Sequence, residues 1–323
     1  MLPVLGIDVA KAKCDLALQC PDGKLRHKTV TNTAAGHADL LAWVGRQVSG
    51  AVHACLEATG VYGDAVALAL ADAGHTVSIV NPLAISAYAQ SELRRAKTDR
   101  TDADLILRYC RAQRPPAWVP PAPEIRTLQA LARRIVAIDQ MRQQELNRLE
   151  AYPTQDVVRE SITAVLAELT SELEHLKQLV RDHIDRHPDL RGRRDLLITI
   201  PGIGETTAIT LLAELFGPMP YLSVKQAVAT AGIAPGVKQS GSSVRGRGAL
   251  SSLGSRRLRK ALYFPALAAI RCNPVIAAMA KRLEARGKCK MVIVVAAMRR
   301  LLHLAFGVLK SNRPFDLSIA LSD

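Results

Sequence analysis

The sequence predicts an α/β domain at the amino terminus followed by a mostly α-helical remainder. Short β-patterned runs alternate with apolar helical patterns as far as Tyr109, and a proline-rich stretch from Arg114 to Pro123 ends that alternation. Helix-period stripes fill the rest. Charge divides in a similar way: residues 1–180 hold 20 Lys and Arg against 20 Asp and Glu, and residues 181–323 hold 23 against 9, so the net +14 belongs to the second part. A neutral part followed by a polycation suits a protein that grips a polyanion through its phosphates, with a basic solvated surface as the plainer alternative.

The first element is the stretch Val4 to Leu18, which alternates apolar and other residues on both sides of a short basic turn, as two adjacent antiparallel strands do. Asp8 lies within its apolar first strand, where a lone carboxylate costs several kcal/mol unless compensated; a metal ion is the natural compensator. Arg26 to Asn32 reads as a third strand. Thr33 to Val48 reads as a helix with Leu40, Leu41, Trp43 and Val44 inward. Ala51 to Glu57 is a short apolar strand, Val61 to Gly74 an Ala/Leu-rich helix closed by glycine, and Thr76 to Val80 a buried strand broken by Asn81-Pro82 before another helix. Three strands, helix, strand, helix, strand, helix is the order of an RNase H-like fold. In that order the fourth strand lies beside the first, which brings Glu57 toward Asp8.

Arg94 to Asp104 supplies more acids ahead of an apolar helix at Leu105 to Tyr109. If helical, Asp99 and Asp102 share a face, whereas Asp104 is turned away from Asp99. Like charges so placed make sense around a divalent cation, and an all-oxygen donor set points to Mg²⁺. Asp8, Glu57, Asp99 and Asp102 are enough to hold the pair of ions that phosphoryl-transfer sites use. The plainer role of the Asp99/Asp102 pair is to favour a helix dipole.

The segment Arg114 to Pro123 reads as a stiff, extended linker. Beyond it, Ile125, Leu128, Leu131, Ile135, Ile138, Leu146 and Leu149 recur at helical spacing. After Tyr152-Pro153, Ile162, Val165, Leu169, Leu173, Leu176 and Val180 resume the pattern. Two such helices make an antiparallel hairpin with a stripe suited to coiled-coil packing, either for self-association or as an internal spacer. Ile200-Pro201-Gly202-Ile203-Gly204 between apolar helices resembles a helix-hairpin-helix, whose glycines let backbone N–H groups approach a phosphate; a simple interhelical turn is the alternative. The layout is therefore residues 1–115 as an α/β domain, 116–187 as linker and hairpin, and 188–323 as a basic helical domain.

Within the basic part, Lys238 to Gly248 is a Gly/Ser loop without an acid. It bears Lys238, Ser240, Ser242, Ser243, Arg245 and Arg247, and leads to Arg256, Arg257, Arg259 and Lys260 on a helix that runs into Tyr263. Hydroxyls and guanidinium groups on a flexible backbone are equipment for gripping phosphate. A serine there can also attack phosphorus, since adjacent cations stabilise its alkoxide and the transition state. The chemistry does not choose among Ser240, Ser242 and Ser243. From Arg271 to Arg300 the pattern adds basic helix with Met291 to Met298 as its buried core.

That eight-residue run is the longest uninterrupted apolar stretch, well short of the roughly 20 residues of a membrane helix, and no secretory pattern opens the chain. The six cysteines form no Cys-x-x-Cys pair, which argues against a disulfide framework and a zinc site. A reducing cytoplasm fits, with association to the nucleoid following from the charge.

Five motifs occur in one order over nearly the whole chain: Gly6-Ile7-Asp8-Val9-Ala10-Lys11, Leu56-Glu57-Ala58-Thr59-Gly60, Lys97-Thr98-Asp99-Arg100-Thr101-Asp102-Ala103, Ile200 to Gly204, and Ser240-Gly241-Ser242-Ser243-Val244-Arg245-Gly246. In these the chain resembles the DEDD transposases of the insertion-sequence family that includes the Piv DNA invertases, bridge-RNA-guided recombinases of bacteria. The resemblance implies a RuvC-like first domain with Asp8, Glu57, Asp99 and Asp102 as the acid tetrad binding Mg²⁺. It implies Ser240 as the nucleophile that forms a phosphoserine link to DNA. It further implies a homo-oligomer, a tetramer built as two dimers, in which acids of one subunit meet the serine of another while a non-coding bridge RNA pairs with donor and target DNA. Specificity left to base pairing agrees with an aromatic content of 4%.

Two other enzyme readings and one non-enzymatic reading compete. A RuvC-like nuclease or junction resolvase would use activated water, with Ser240 only binding phosphate. An actin-like sugar kinase also begins with a Gly-Ile-Asp strand but needs a second similar domain with a phosphate loop, which the sequence does not offer. An architectural nucleic-acid protein would not need Asp8 at all.

Overall fold

The structure is a computed structural model. It describes residues 2–58, 60–92, 99–152, 155–217, 223–236, 239–240, 244–245, 249–250 and 254–320; at 61, 99–101, 235–236, 239–240, 244–245, 249–250 and 319–320 it describes the backbone only. The chain forms two compact units, Met1–Pro120 and Pro121–Asp323.

In the first unit, β1 (Val4–Val9), β2 (Lys13–Gln19) and β3 (Leu25–Thr31) form an antiparallel meander. Helix α1 (Ala34–Gln47) follows, begun by the Thr33 side chain accepting from the Gly36 N–H. Then come β4 (His53–Glu57), α2 (Asp64–Asp72), β5 (Thr76–Val80), α3 (Pro82–Ser91) and α4 (Asp99–Gln113). Asn81 caps α3 and Pro82 opens it, which is why strand gives way to helix there. The five strands stand in the order β3-β2-β1-β4-β5, with β4 parallel to β1 and β5 parallel to β4. This is the RNase H-like arrangement that the element order predicts.

Period-two alternation sorts the sheet into two faces. Leu5, Ile7 and Val9 join Leu16, Leu18, Leu40, Trp43, Val44, Val66 and Leu70 in one core under α1 and α2. Val4, Ala17 and Cys55 pack on the other face with Ala103, Leu107 and Cys110 of α4. Gly6 is the point of closest approach: a Cβ there would lie 2.3 Å from the Ala103 carbonyl oxygen and 2.5 Å from the Leu107 nitrogen. Only a residue without a side chain lets α4 settle this deeply across β1.

The proline-rich stretch, expected to be a stiff extended linker, is instead partly folded onto this unit. The Trp118 N–H donates to the Val77 carbonyl at 2.7 Å, and its ring packs on the α1/α2 core. The buried Ser78 hydroxyl lies 3.1 and 2.8 Å from the carbonyls of Pro115 and Pro116. The break in packing at Pro120 therefore falls later than the expected boundary at residue 115.

In the second unit, α5 (Pro123–Ala151) and α6 (Asp156–Asp185) run antiparallel: His183 Nε2 meets the Glu124 carbonyl at one end, and Arg159 Nη1 meets the Leu149 carbonyl at the other. Between these ends Ile138, Leu173 and Leu176 are buried against Leu131, Ile135, Leu169 and Leu179. Helices α7 (Pro188–Ile198), α8 (Glu205–Leu211) with a π-helical continuation at Leu212–Phe216, α9 (Val224–Thr230), α10 (Arg256–Cys272), α11 (Pro274–Ala285), α12 (Lys290–Ser311) and α13 (Leu317–Ala320) follow. Their core also takes in Ile125, Leu128, Val180 and Ile184 from the base of α5 and α6.

Helix α12 corrects one expectation. Met291 and Val292 are exposed, and the buried face runs from Ile293 through Met298, Leu301, Leu302, Leu304, Ala305 and Val308. By length and composition alone α12 could cross a membrane, but that face is part of the second unit's core.

Candidate active site

Strand register assembles the acids of the first unit. Gly6 faces Ala17 on β2 and Cys55 on β4, and all three lie under α4. Two residues further along β1, Asp8 pairs with Asp15, and the Ile7–Leu56 pairing puts Glu57 in register with Asp8 on the other side. Asp15, Asp8 and Glu57 therefore form a row on the α4 face, at the carboxyl ends of β1 and β4, on strands about 4.8 Å apart. Asp8 and Glu57 are half-buried.

Helix α4 begins beside that row because Ala103 is seated on Gly6. Asp102, directly before Ala103, is half-buried. Asp99 opens the helix, and its side chain lies outside the described residues. One turn in, Asp104 Oδ1 lies 2.7 Å from His27 Nε2 on β3, a contact that ties the start of α4 to the sheet.

The sequence pattern does not single out Asp15, although the hairpin around Ala10 to Ala12 implies its register with Asp8. Thr29 donates to it at 2.5 Å and Lys13 pairs with it at 3.0 Å, so it is already engaged. Next to it, burial and the charges of Asp15 and Asp8 push the Cys14 thiol up to about 11. After burial, the charges of Asp15 and then Asp8 act on it in the same direction, and a cation beside those two carboxylates would oppose them. Among the described residues no three His, Cys, Asp or Glu side chains stand close enough to share one metal ion. The donor chemistry of Asp8, Glu57 and Asp102 is all carboxylate oxygen, which suits Mg²⁺.

In the second unit, Ser240 lies on β7 (Gln239–Ser240), whose backbone pairs with β8 (Val244–Arg245), Ser240 opposite Val244. A second pair, β6 (Pro235–Gly236) and β9 (Ala249–Leu250), flanks it in sequence. The side chains of Ser240 and Arg245 lie outside the described residues, as do Lys238, Ser242, Ser243 and Arg247 altogether.

The four cations at the start of α10 do not share one role. Arg257 donates to Glu214 at 3.0 Å, and Arg259 donates to the Gly232 carbonyl at 3.2 Å. Arg256 and Lys260 are exposed and make no ion pair among the described residues. Ile200 to Gly204 does form a turn between α7 and α8, with Gly202 at φ +101° and seated against Ala269 of α10, where a Cβ would lie 2.6 Å away.

Comparison with known proteins defines the class. The model of the DEDD transposases of IS110, described as "Transposase", matches residues 5–155, and one described as "Transposase IS116/IS110/IS902 family" matches residues 194–281. The chain belongs to this transposase family, whose members are enzymes acting on DNA. Among its relatives are the pilin gene-inverting proteins of Moraxella bovis and Moraxella lacunata, each 34% identical over 325 residues, covering 98% of this chain and 98% of the relative. A chain from T. thermophilus RuvC in complex with Holliday junction substrate aligns with 34% of this chain and 96% of its own at 16% identity and a TM-score of 0.27. That score is too low to bear on the fold, which rests on strand order and the family match.

Proposed function

We propose that this protein is an RNA-guided DNA recombinase that cuts and rejoins DNA by Mg²⁺-dependent attack of Ser240 on a backbone phosphodiester. The observation that carries the reading is the carboxylate row of Asp8 and Glu57 at the carboxyl ends of two adjacent parallel strands, with the start of α4 packed beside it. Asp8, Glu57, Asp99 and Asp102 would divide a pair of Mg²⁺ ions among them, and the bound ions would offset charge on the phosphate and favour ionisation of the attacking oxygen. Ser240 Oγ attacks phosphorus, its proton passes to solvent, and the bond to the departing 3′ or 5′ oxygen breaks, leaving a phosphoserine ester. Attack by a hydroxyl of a second strand reverses that step and joins new partners.

Donor and target DNA are gripped by the cations of the second unit, Arg256 and Lys260 among them, and a bridge RNA supplies sequence recognition. The acids and the serine lie on different units, and subunits of a tetramer exchange them. Exposed Val136, Met141, Val157, Val158 and Val165 on α5 and α6 give such an assembly an apolar surface to bury.

The experiment uses end-labelled DNA with the guide RNA and Mg²⁺, resolved on a denaturing gel. Wild-type protein gives a strand covalently attached to protein, and Ser240→Ala gives neither attachment nor cleavage. Cleavage by Ser240→Ala without attached protein would establish the rival in which activated water attacks.

A further inference from the structure

One aromatic ring on α10 has no part in the second unit's core. Phe264 is 72% exposed, the highest exposure of any aromatic residue among the described large hydrophobics. Arg256, Lys260 and Phe264 succeed one another at four-residue steps, so they share a face of the helix, and Ala268 continues it with a side chain too small to cover the ring. Exposed Arg271 stands at the far end of α10, and the helix contains no acid. Tyr263 meets Phe264 edge to face, with ring centroids 5.4 Å apart, and is itself packed on the core. The ring is therefore braced on one edge.

A large apolar surface in contact with water is costly, and bracing reduces its freedom to fold back. Its neighbours select the occupant. An apolar protein partner would have to leave Arg256, Lys260 and Arg271 without counter-charge, whereas a nucleic-acid strand offers phosphates to the cations and a base to the ring. We infer that the exposed face of α10 is a stacking platform for an unpaired nucleotide, with Phe264 under the base and Arg256 and Lys260 on the flanking phosphates. Recombination opens duplexes and requires such unpaired strands, so the inference deepens the nucleic-acid reading above and rests on it. Phosphate contacts alone do not distinguish paired from unpaired strands; an accessible ring face does.

The test measures binding of the full-length protein to labelled single-stranded and duplex oligonucleotides of one sequence across a salt series, with oligomer mass followed by light scattering. Phe264→Leu keeps an exposed apolar side chain and so leaves the fold intact. It weakens single-strand binding about 5- to 150-fold, the span that stacking on one base represents, while the salt slope, duplex binding and oligomer mass stay unchanged. Phe264→Trp restores binding. Lys260→Ala flattens the salt slope by roughly one phosphate contact on both substrates. Wild-type binding by Phe264→Leu overturns the platform, as does an equal loss on duplex, or a fall in oligomer mass that would make the ring a subunit contact. Unchanged salt slopes in both Arg256→Ala and Lys260→Ala would instead overturn the nucleic-acid reading of this helix.

Discussion

The first unit carries 13 Lys and Arg against 11 Asp and Glu, and the second carries 30 against 18, so nearly all of the positive excess lies after Pro120. In the first unit, strand register and one glycine collect acids on a single face of a sheet. In the second, helices either spend cations on internal partners, as Arg133 and Arg257 do on Glu214, or leave them in solvent, as with Arg256 and Lys260. Charge density along the chain therefore says only coarsely where exposed cations stand. Backbone geometry places the carboxylates to the residue, because a same-face position on a strand has no freedom to wander.

The two units can be perturbed separately, and they report separately. Both tryptophans, Trp43 and Trp118, belong to the first unit, whereas most helix belongs to the second, so tryptophan emission and far-ultraviolet ellipticity follow different units during urea unfolding. The largest effect is expected from Gly6→Val, which drives a side chain into the Ala103 carbonyl and the Leu107 backbone. It lowers the stability of the first unit by about 3 kcal/mol, seen as an earlier emission transition with the ellipticity transition unmoved. Glu214→Ala does the converse. Its carboxylate is shared by Arg133 at 2.9 Å and Arg257 at 3.0 Å, and both arginines are partly solvated, so the cost to the second unit is about 2 kcal/mol.

The smallest effect comes from pH. Burial lowers the pKa of His37, His53 and His75 in the first unit; in the second, burial and then Arg299 and Arg300 lower that of His303. Each of these is neutral when folded over a range in which the unfolded chain would bind a proton. Acidification below the ordinary histidine value of 6.5 therefore favours the unfolded state, and above it these groups contribute nothing. The emission midpoint should fall more than the ellipticity midpoint between pH 7 and the onset of carboxylate protonation.

Local signals carried the first unit far. Alternation, the Thr33 and Asn81 caps and the glycine punctuation define its strands and helices, and strand order then places Glu57 beside Asp8. What the sequence hid depends on contacts between distant residues. Asp15 becomes a neighbour of Asp8 only when hairpin register is counted across the turn. The prolines after Arg114 read as a spacer because nothing local reveals that Ser78 and Val77 receive them. At the start of α10 four cations look alike in sequence, yet Glu214 and the Gly232 carbonyl take two of them, and Phe264 stands out only once the core beside it is seen.

Whether the carboxylate row does chemistry is examined with the least change in shape by Asp8→Asn. In a strand-cleavage assay with Mg²⁺ and guide RNA, the variant should bind DNA as tightly as the wild type yet cleave at least roughly a thousandfold more slowly, equivalent to about 4 kcal/mol of transition-state stabilisation. Cleavage by Asp8→Asn at the wild-type rate would contradict it.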